Sequence, residues 1–266
     1  MTESRDPAAA LADRLFAEHA DGRPFRPIRG ADRPASLDEG YRVQNLLVRR
    51  WSEAGRGASA GYKVGLTSEA MRAMCNADQP ISGVIFESTV YRSPARIALA
   101  DFAHLAIEFE LAVEIGREFR PGDGPFTQDD ARDRVAACLP AFELIEDRNA
   151  DYGDLDVLSC VMDNAWCGGV VLGPRQSDWQ ALDLAATPAS LSVNDGAPEP
   201  AATGAAMGNP LNSVVWLANQ LADRGTALEA GMIVMTGSTL ATRVPEAGDR
   251  FVYAIEGLGR VEATIV

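Results

Sequence analysis

Glu108 and Glu110 stand in Ile107-Glu108-Phe109-Glu110-Leu111-Ala112-Val113-Glu114-Ile115, where every odd position is apolar. Side chains of a β-strand alternate between faces. The pattern therefore predicts a strand with a greasy odd face and an even face that carries both glutamates, Ala112 and Glu114. Carboxylates held that close repel each other, and burying either without a partner is costly. Two arrangements relieve the cost: the even face is solvated, or a divalent cation sits between the acids. The strand by itself leaves both open.

A second segment carries more acid. Leu139-Pro140-Ala141-Phe142-Glu143-Leu144-Ile145-Glu146-Asp147-Arg148 reads as another strand, with Pro140 expected among its first residues or at a sheet edge. Glu143 shares a face with Ala141 and Ile145, and Glu146 shares the other with Phe142 and Leu144. On either face an acid lies among apolar neighbours. Arg148 is one candidate partner for them. In the other reading Glu143 completes an all-oxygen site with Glu108 and Glu110, suited to Mg²⁺ or Mn²⁺, hard ions that favour oxygen and octahedral geometry. Zinc, which favours nitrogen and sulfur ligands, fits an all-carboxylate set less well.

The elements that must position these residues follow from local signals. Asp6-Pro7 caps a first helix with an apolar stripe of Ala10, Leu11, Leu15 and Phe16, ended by Gly22-Arg23-Pro24. Ser36-Leu37-Asp38-Glu39 is a capping box for a second, with Leu37, Tyr41, Leu47, Val48 and Trp51 at helical spacing up to Gly55. From Gly61 the texture turns strand-rich. Gly61 to Leu66 reads as a strand, Thr67-Ser68 as a cap for a helix from Glu69 to Met74, and Val84 to Phe86 as a strand. Thr127 to Ala137 reads as helix and Gly168 to Leu172 as extended chain. Asn194-Asp195-Gly196 signals a hairpin, and Asn209-Pro210 caps a helix running to Gly225. Met232 to Met235, Phe251 to Ile255 and Val261 to Val266 read as closing strands, the last two joined by a Gly257-Leu258-Gly259 turn. The expectation is an α+β protein: a mixed β-sheet core with peripheral helices, divided into a helical N-terminal region (1–60) and a β-rich core (61–266).

The chain has 266 residues, enough to bury one large core. With 24 Lys+Arg against 38 Asp+Glu its formal charge is −14, which argues against nucleic acid or an anionic membrane as partner. An anionic small substrate stays compatible, since a metal and one lysine can invert the local field. Cys75, Cys138, Cys160 and Cys167 show no metal spacing and read as reduced, buried thiols. No charged-then-apolar leader opens the sequence and no apolar run is long enough to span a membrane, so a cytoplasmic protein is expected.

Several motifs recur in a familiar order: Gly61-Tyr62-Lys63-Val64-Gly65-Leu66-Thr67-Ser68, Ile107-Glu108-Phe109-Glu110, Pro140-Ala141-Phe142-Glu143 and Asp163-Asn164-Ala165. Gly208-Asn209-Pro210-Leu211, Trp216-Leu217-Ala218-Asn219, Gly231-Met232-Ile233-Val234-Met235-Thr236-Gly237-Ser238 and Gly257-Leu258-Gly259 follow. From about residue 9 to its end the chain resembles the 2-keto-4-pentenoate hydratase and 4-oxalocrotonate decarboxylase family of the fumarylacetoacetate hydrolase superfamily. The resemblance implies a β-rich fold around Mg²⁺ or Mn²⁺ held by Glu108, Glu110 and Glu143. It also implies a homo-oligomer acting on a small anionic 2-oxo acid in aromatic ring-fission catabolism. Lys63 matches the motif lysine of that family and is expected to hydrogen-bond a developing enolate or relay a proton; the alternative is a solvated lysine at a strand end. Gly237 and Ser238 are expected to hold the substrate carboxylate, with an ordinary turn as the rival reading. For Asp163-Asn164 an Asx turn or helix cap is an equal reading.

The chain departs from the family pattern twice. Ile81, in Asp78-Gln79-Pro80-Ile81-Ser82-Gly83, stands where many hydratases of the family carry an aspartate proposed to transfer protons, which looks closer to the decarboxylase branch. Asn164-Ala165-Trp166-Cys167 puts an indole where small polar residues are usual. The expected activity is hydration of a short 2-oxo/2-hydroxydienoic acid to a 4-hydroxy-2-oxo acid, with decarboxylation of a 4-oxalocrotonate-like dioate as the alternative. Two further readings are an acylpyruvate-type C–C hydrolase and an inactive metal-binding or ligand-binding homologue. The hydrolase would need a histidine–carboxylate pair. His19 reads as a surface residue of the first helix, and His104 shows no acid partner in sequence.

Overall fold

A computed structural model describes residues 6–266. The first half of the chain runs α1 (Pro7–Ala20), α2 (Leu37–Trp51), β1 (Ser59–Gly65), α3 (Glu69–Met74), β2 (Ile81–Phe86), β3 (Val90–Arg92), β4 (Ala95–Ile97) and β5 (Leu105–Ile115). It continues through α4 (Gln128–Arg134), β6 (Val135–Glu146), α5 (Val157–Met162), β7 (Cys167–Leu172), β8 (Pro188–Val193) and β9 (Glu199–Ala202). The last four elements are α6 (Pro210–Asp223), β10 (Ile233–Ser238), β11 (Arg250–Ile255) and β12 (Gly259–Ile265). This is the expected α+β architecture with a mixed sheet core.

Seven strands form one sheet in the order β2-β1-β10-β5-β6-β7-β3, and five form a second in the order β4-β12-β11-β8-β9. The larger sheet curls until β2 comes against β7. Its two faces therefore have different fates. The odd residues of β5, from Ile107 to Ile115, join the main core with Phe251, Tyr253 and Val261 of the second sheet and Leu217 of α6. Each fully buried Leu or Phe there contributes roughly 1.5–3 kcal/mol. The even residues look into the curl, where Ala112 packs with Ala141 of β6, Val170 of β7 and Met235 of β10.

β5 and β6 pair antiparallel with Leu105 opposite Glu146, Glu108 opposite Glu143 and Glu110 opposite Ala141. Opposite residues share a face, so this register sets Glu143 on the same face as Glu108 and Glu110.

Local signals set most of the helix ends. Asp6 accepts the amide of Ala8 ahead of Pro7, and Ser68 accepts the amide of Met71. Asn209 caps α6. Ser36 caps α2 by accepting from Glu39, but the Glu39 carboxylate accepts from Ala35 rather than closing the box on Ser36.

Other expectations are corrected. The helix read as Thr127 to Ala137 spans only Gln128–Arg134, because the Arg134 carbonyl turns away to accept the amides of Gly116 and Arg117 and Val135 opens β6. Pro140 lies neither at the start of its strand nor at an edge, but within β6 between β5 and β7. Its carbonyl accepts from Gly173, just past the end of β7, so its missing N–H falls where no ladder bond is required. Arg148 does not pair its side chain with Glu143 or Glu146; its guanidinium meets Asp163 at 2.8 Å.

Candidate metal centre and active-site cavity

Glu108, Glu110 and Glu143 converge inside the curl, each offering a carboxylate oxygen within 4.8 Å of the others. Glu110 and Glu143 are fully buried, and Glu108 is partly exposed. A backbone amide and a side-chain hydroxyl hold two of the three. The ladder between β10 and β5 slips between Met235 and Ser238, and this bulge lets the Gly237 amide donate to Glu110 Oε2 at 2.8 Å. Gly237 has φ +112°, and a Cβ there would lie 2.6 Å from the Thr67 side chain, so only glycine fits. Glu108 accepts from the Thr242 hydroxyl at 2.8 Å.

Lys63 reaches into the curl from β1. It is 4% exposed, and its Nζ lies 2.9 Å from Glu143 Oε1. One lysine does not neutralise three carboxyls. Glu110 Oε1 and Glu143 Oε2 are buried without a hydrogen-bond donor among the described residues, and Glu143 Oε1 has only the Lys63 ammonium. Burial, then the charges of Glu143 and Glu108, push the Glu110 carboxyl well above its ordinary range. Burial pushes Glu143 up to about 7; Lys63 opposes that rise and Glu108 adds to it. For Lys63, burial works to lower the ammonium, but Glu143 and then Glu108 more than offset it and hold it above the ordinary lysine range. The donor set fits a hard divalent cation. It offers one oxygen from each carboxylate within 4.8 Å of the others, and a cation among them would offset the repulsion that disfavours ionising all three.

Glu108 and Lys63 open onto a cavity of about 360 Å³. Ala106 and Ile145 form part of its wall, with Ile81 and Trp166 also lining it and Met71 and Met74 of α3 exposed at its rim. A larger groove of about 870 Å³ between α2 and α6 holds none of the three glutamates.

Gly237 and Ser238 do not line the cavity. They lie inside β10 rather than after it, and their polar groups are committed. The Gly237 amide serves Glu110, while the Ser238 hydroxyl donates to the Leu240 carbonyl at 2.8 Å. Gly237 thus has a role in fixing Glu110, beside the expectation that the two residues hold a substrate carboxylate.

Both histidines also differ from expectation. His19 is no surface residue: Nε2 meets Asp163 Oδ1 at 2.6 Å and the ring packs edge-on against Trp51. Asp163 is not a simple Asx turn, for it binds His19 through one oxygen and Arg148 through the other. Asn164 spans the backbone of Val84 with both its amide groups. His104 does have an acid partner. Its Nδ1 lies 2.7 Å from Asp147 Oδ1, and both residues line the cavity. The signal for it was the alternation itself, since 104, 106, 108 and 110 share one parity. All four cysteines are unpaired and buried.

Residues 58–266 match the family model described as fumarylacetoacetate (FAA) hydrolase C-terminal. The chain is 33% identical over 263 residues to 2-keto-4-pentenoate hydratase 2 of Dechloromonas aromatica (strain RCB), covering 99% of each. It is 33% identical over 252 residues to 2-hydroxyhexa-2,4-dienoate hydratase of Comamonas testosteroni, covering 92% of each. Among solved structures, 4-oxalocrotonate decarboxylase from Pseudomonas putida G7, complexed with magnesium and adipate, superposes with a TM-score of 0.89 at 27% identity. That match covers 100% of this chain and 99% of the other.

Proposed function

The chain belongs to the fumarylacetoacetate hydrolase family, and from that premise we propose that it is a divalent-metal-dependent lyase hydrating a short 2-hydroxydienoic acid to a 4-hydroxy-2-oxo acid. One observation carries the reading: three glutamates converge beside a cavity sized for a short acid, two of them fully buried with carboxylate oxygens that the protein leaves without a hydrogen-bond donor. The chain also aligns end to end with a 2-keto-4-pentenoate hydratase.

We assign Glu108, Glu110 and Glu143 to hold Mg²⁺ or Mn²⁺, which when bound supplies Lewis-acid stabilisation of negative charge on a 2-oxo oxygen. The chain's own groups do the rest. Gly237 and Thr242 fix two of the glutamates. Lys63 places an ammonium beside Glu143, where it can hydrogen-bond an anionic oxygen of the substrate. Ile81, Ile145 and Trp166 keep the reacting end of the cavity apolar, which strengthens each of these interactions. We place the protein in the cytoplasm as a homo-oligomer in aromatic ring-fission catabolism. Consistent with that, no described helix is long and apolar enough to cross a membrane. We also keep the division at residue 60, supported by β1 starting at Ser59 and the family match starting at 58.

Decarboxylation is the second reading. Ile81 in place of an acid and the close superposition on 4-oxalocrotonate decarboxylase favour it. Purified protein with Mg²⁺ separates the two. Loss of the dienol absorbance of 2-hydroxypenta-2,4-dienoate without CO₂ is the expected result, and CO₂ release from 4-oxalocrotonate supports the second reading. No metal-dependent change with either compound overturns both.

A further inference from the structure

The register that aligns the glutamates continues to the end of the ribbon. Glu108 lies opposite Glu143, Ala106 opposite Ile145, and one step beyond the last paired residues His104 meets Asp147. All six share the face that looks into the curl, and all but buried Glu143 line the cavity. The His–Asp pair therefore stands two pairs from the acids along an extended strand, about 13 Å between the Cα atoms of residues 104 and 108 at ~3.3 Å per residue. Between them lies only the apolar step of Ala106 and Ile145, with a methyl group on the β5 side. A short acid gripped at its 2-oxo end beside Glu108 and lying over that step presents its far carbons to His104.

The pair is built to hold an imidazole. Asp147 is 1% exposed. It accepts from the Asn149 amide and His104 Nδ1 on one oxygen, and from the Tyr152 hydroxyl at 2.9 Å on the other. A carboxylate that accepts at both oxygens fixes the proton on Nδ1, which leaves Nε2 as the working nitrogen. Nε2 has no partner among the described residues, and the side chain remains 32% exposed. The other titratable groups of the wall are committed. Lys63 faces Glu143, Glu108 belongs to the acid trio, and Tyr152 serves Asp147. The Cys75 and Cys160 thiols are buried beside each other.

We propose that His104, oriented by Asp147 as a positioning residue, is the proton-transfer residue acting at the far carbons of the substrate, in a cavity where Ile81 supplies no acid. The assignment rests on the metal-dependent reading above. For hydration the protons balance as follows. The 2-hydroxyl gives its proton to solvent water, the resulting dienolate takes the Nε2 proton of cationic His104 at C5, and the C4–C5 pair shifts to leave a 2-oxo-3-enoate. Water oxygen then bonds to C4 as neutral His104 takes the water proton, which restores the cation. C3 of the enolate left by that addition finally takes a proton from solvent water, in return for the one given up by the 2-hydroxyl.

The test uses full-length wild type, His104→Gln and Asp147→Asn with Mg²⁺ or Mn²⁺. Expected for His104→Gln are Mn²⁺ binding by calorimetry equal to wild type and retained Mg²⁺-dependent exchange of the C3 protons of 2-oxopentanoate in D₂O. Its kcat on 2-hydroxypenta-2,4-dienoate and its deuterium incorporation at C5 should fall roughly 100-fold or more, with KM little changed. In His104→Ala, added imidazole should restore part of the C5 labelling. Asp147→Asn should lower kcat while leaving KM in place. A His104→Gln enzyme with wild-type kcat overturns the proposal. So does a loss confined to KM for a dioic substrate, which would make His104 a carboxylate-binding residue. Absence of Mn²⁺ binding and of C3 exchange in wild type would instead remove the reading beneath it.

Discussion

Asp163 and Glu143 are both completely buried carboxylates, yet their oxygens meet different surroundings. Asp163 is closed by the protein: His19 takes one oxygen and Arg148 the other. Burial alone would raise its carboxyl, but His19 and then Arg148 hold it below the usual carboxylate range. Glu143 has one ion pair, from Lys63 to Oε1, two glutamates for neighbours and no donor to Oε2. Where this fold needs a buried acid for structure, it supplies a guanidinium and an imidazole from elements far apart in sequence. Where it leaves carboxylate oxygens bare, the metal-dependent reading proposed above takes the missing partner to be a divalent cation. A buried charge left uncompensated is too costly to be an accident of packing.

The comparison breaks most sharply at Glu143. Glu143→Gln is predicted to cut metal-dependent turnover by roughly 1000-fold or more, the loss of several kcal/mol of Lewis-acid stabilisation. The metal-free melting temperature should stay level or rise, because one of three repelling acids is gone. A metal-free protein that melts far lower would make Glu143 a structural acid like Asp163. The converse substitution, Asp163→Asn, is predicted to destabilise the fold by about 3–5 kcal/mol in denaturant titrations, leaving the Arg148 guanidinium buried without its partner. Mn²⁺ affinity of the folded variant should be unchanged. Lys63→Met should lower turnover roughly 100-fold while weakening Mn²⁺ binding far less; equal losses would make the lysine a support for Glu143 only.

The smallest expected effect is on pH dependence. Glu143 is raised from an ordinary carboxyl value to about 7, and Glu110 is raised as well. A folded-state value above the unfolded one means the folded protein holds the proton more tightly. The associated stability is full below the unfolded carboxyl range and is lost as pH rises through about 7. Metal-free protein should therefore melt at progressively lower temperature from pH 5 to pH 8, and saturating Mg²⁺ should flatten that trend. A flat profile without metal would place the acids in a wetter setting than the one described.

How much of this was legible beforehand depended on distance along the chain. The alternation of β5, the caps at Asp6, Ser68 and Asn209, and the turn at Asn194-Asp195-Gly196 are local, so composition and period sufficed to read them. The face taken by Glu143 was not, because both of its faces carried an acid among apolar residues and only the pairing with β5 decides between them. Pro140 misled for the same reason: whether a strand interior tolerates proline depends on where its neighbour ends. The contacts from Asp163 to His19 and from Asp147 to His104 join residues far apart in the chain, and no spacing announces them. The parity of His104 with Glu108 was visible, but it carried no weight until Asp147 was known to face it.

The bond from the Gly237 amide to Glu110 also serves another purpose. A single main-chain proton, sheltered in the sheet interior, is tied to a carboxylate that the proposed function assigns to the cation. Labelled protein observed by magnetic resonance should show that one glycine signal moving as the ion is titrated in. Occupancy could then be followed in the resting molecule, with no substrate added and no turnover to interpret.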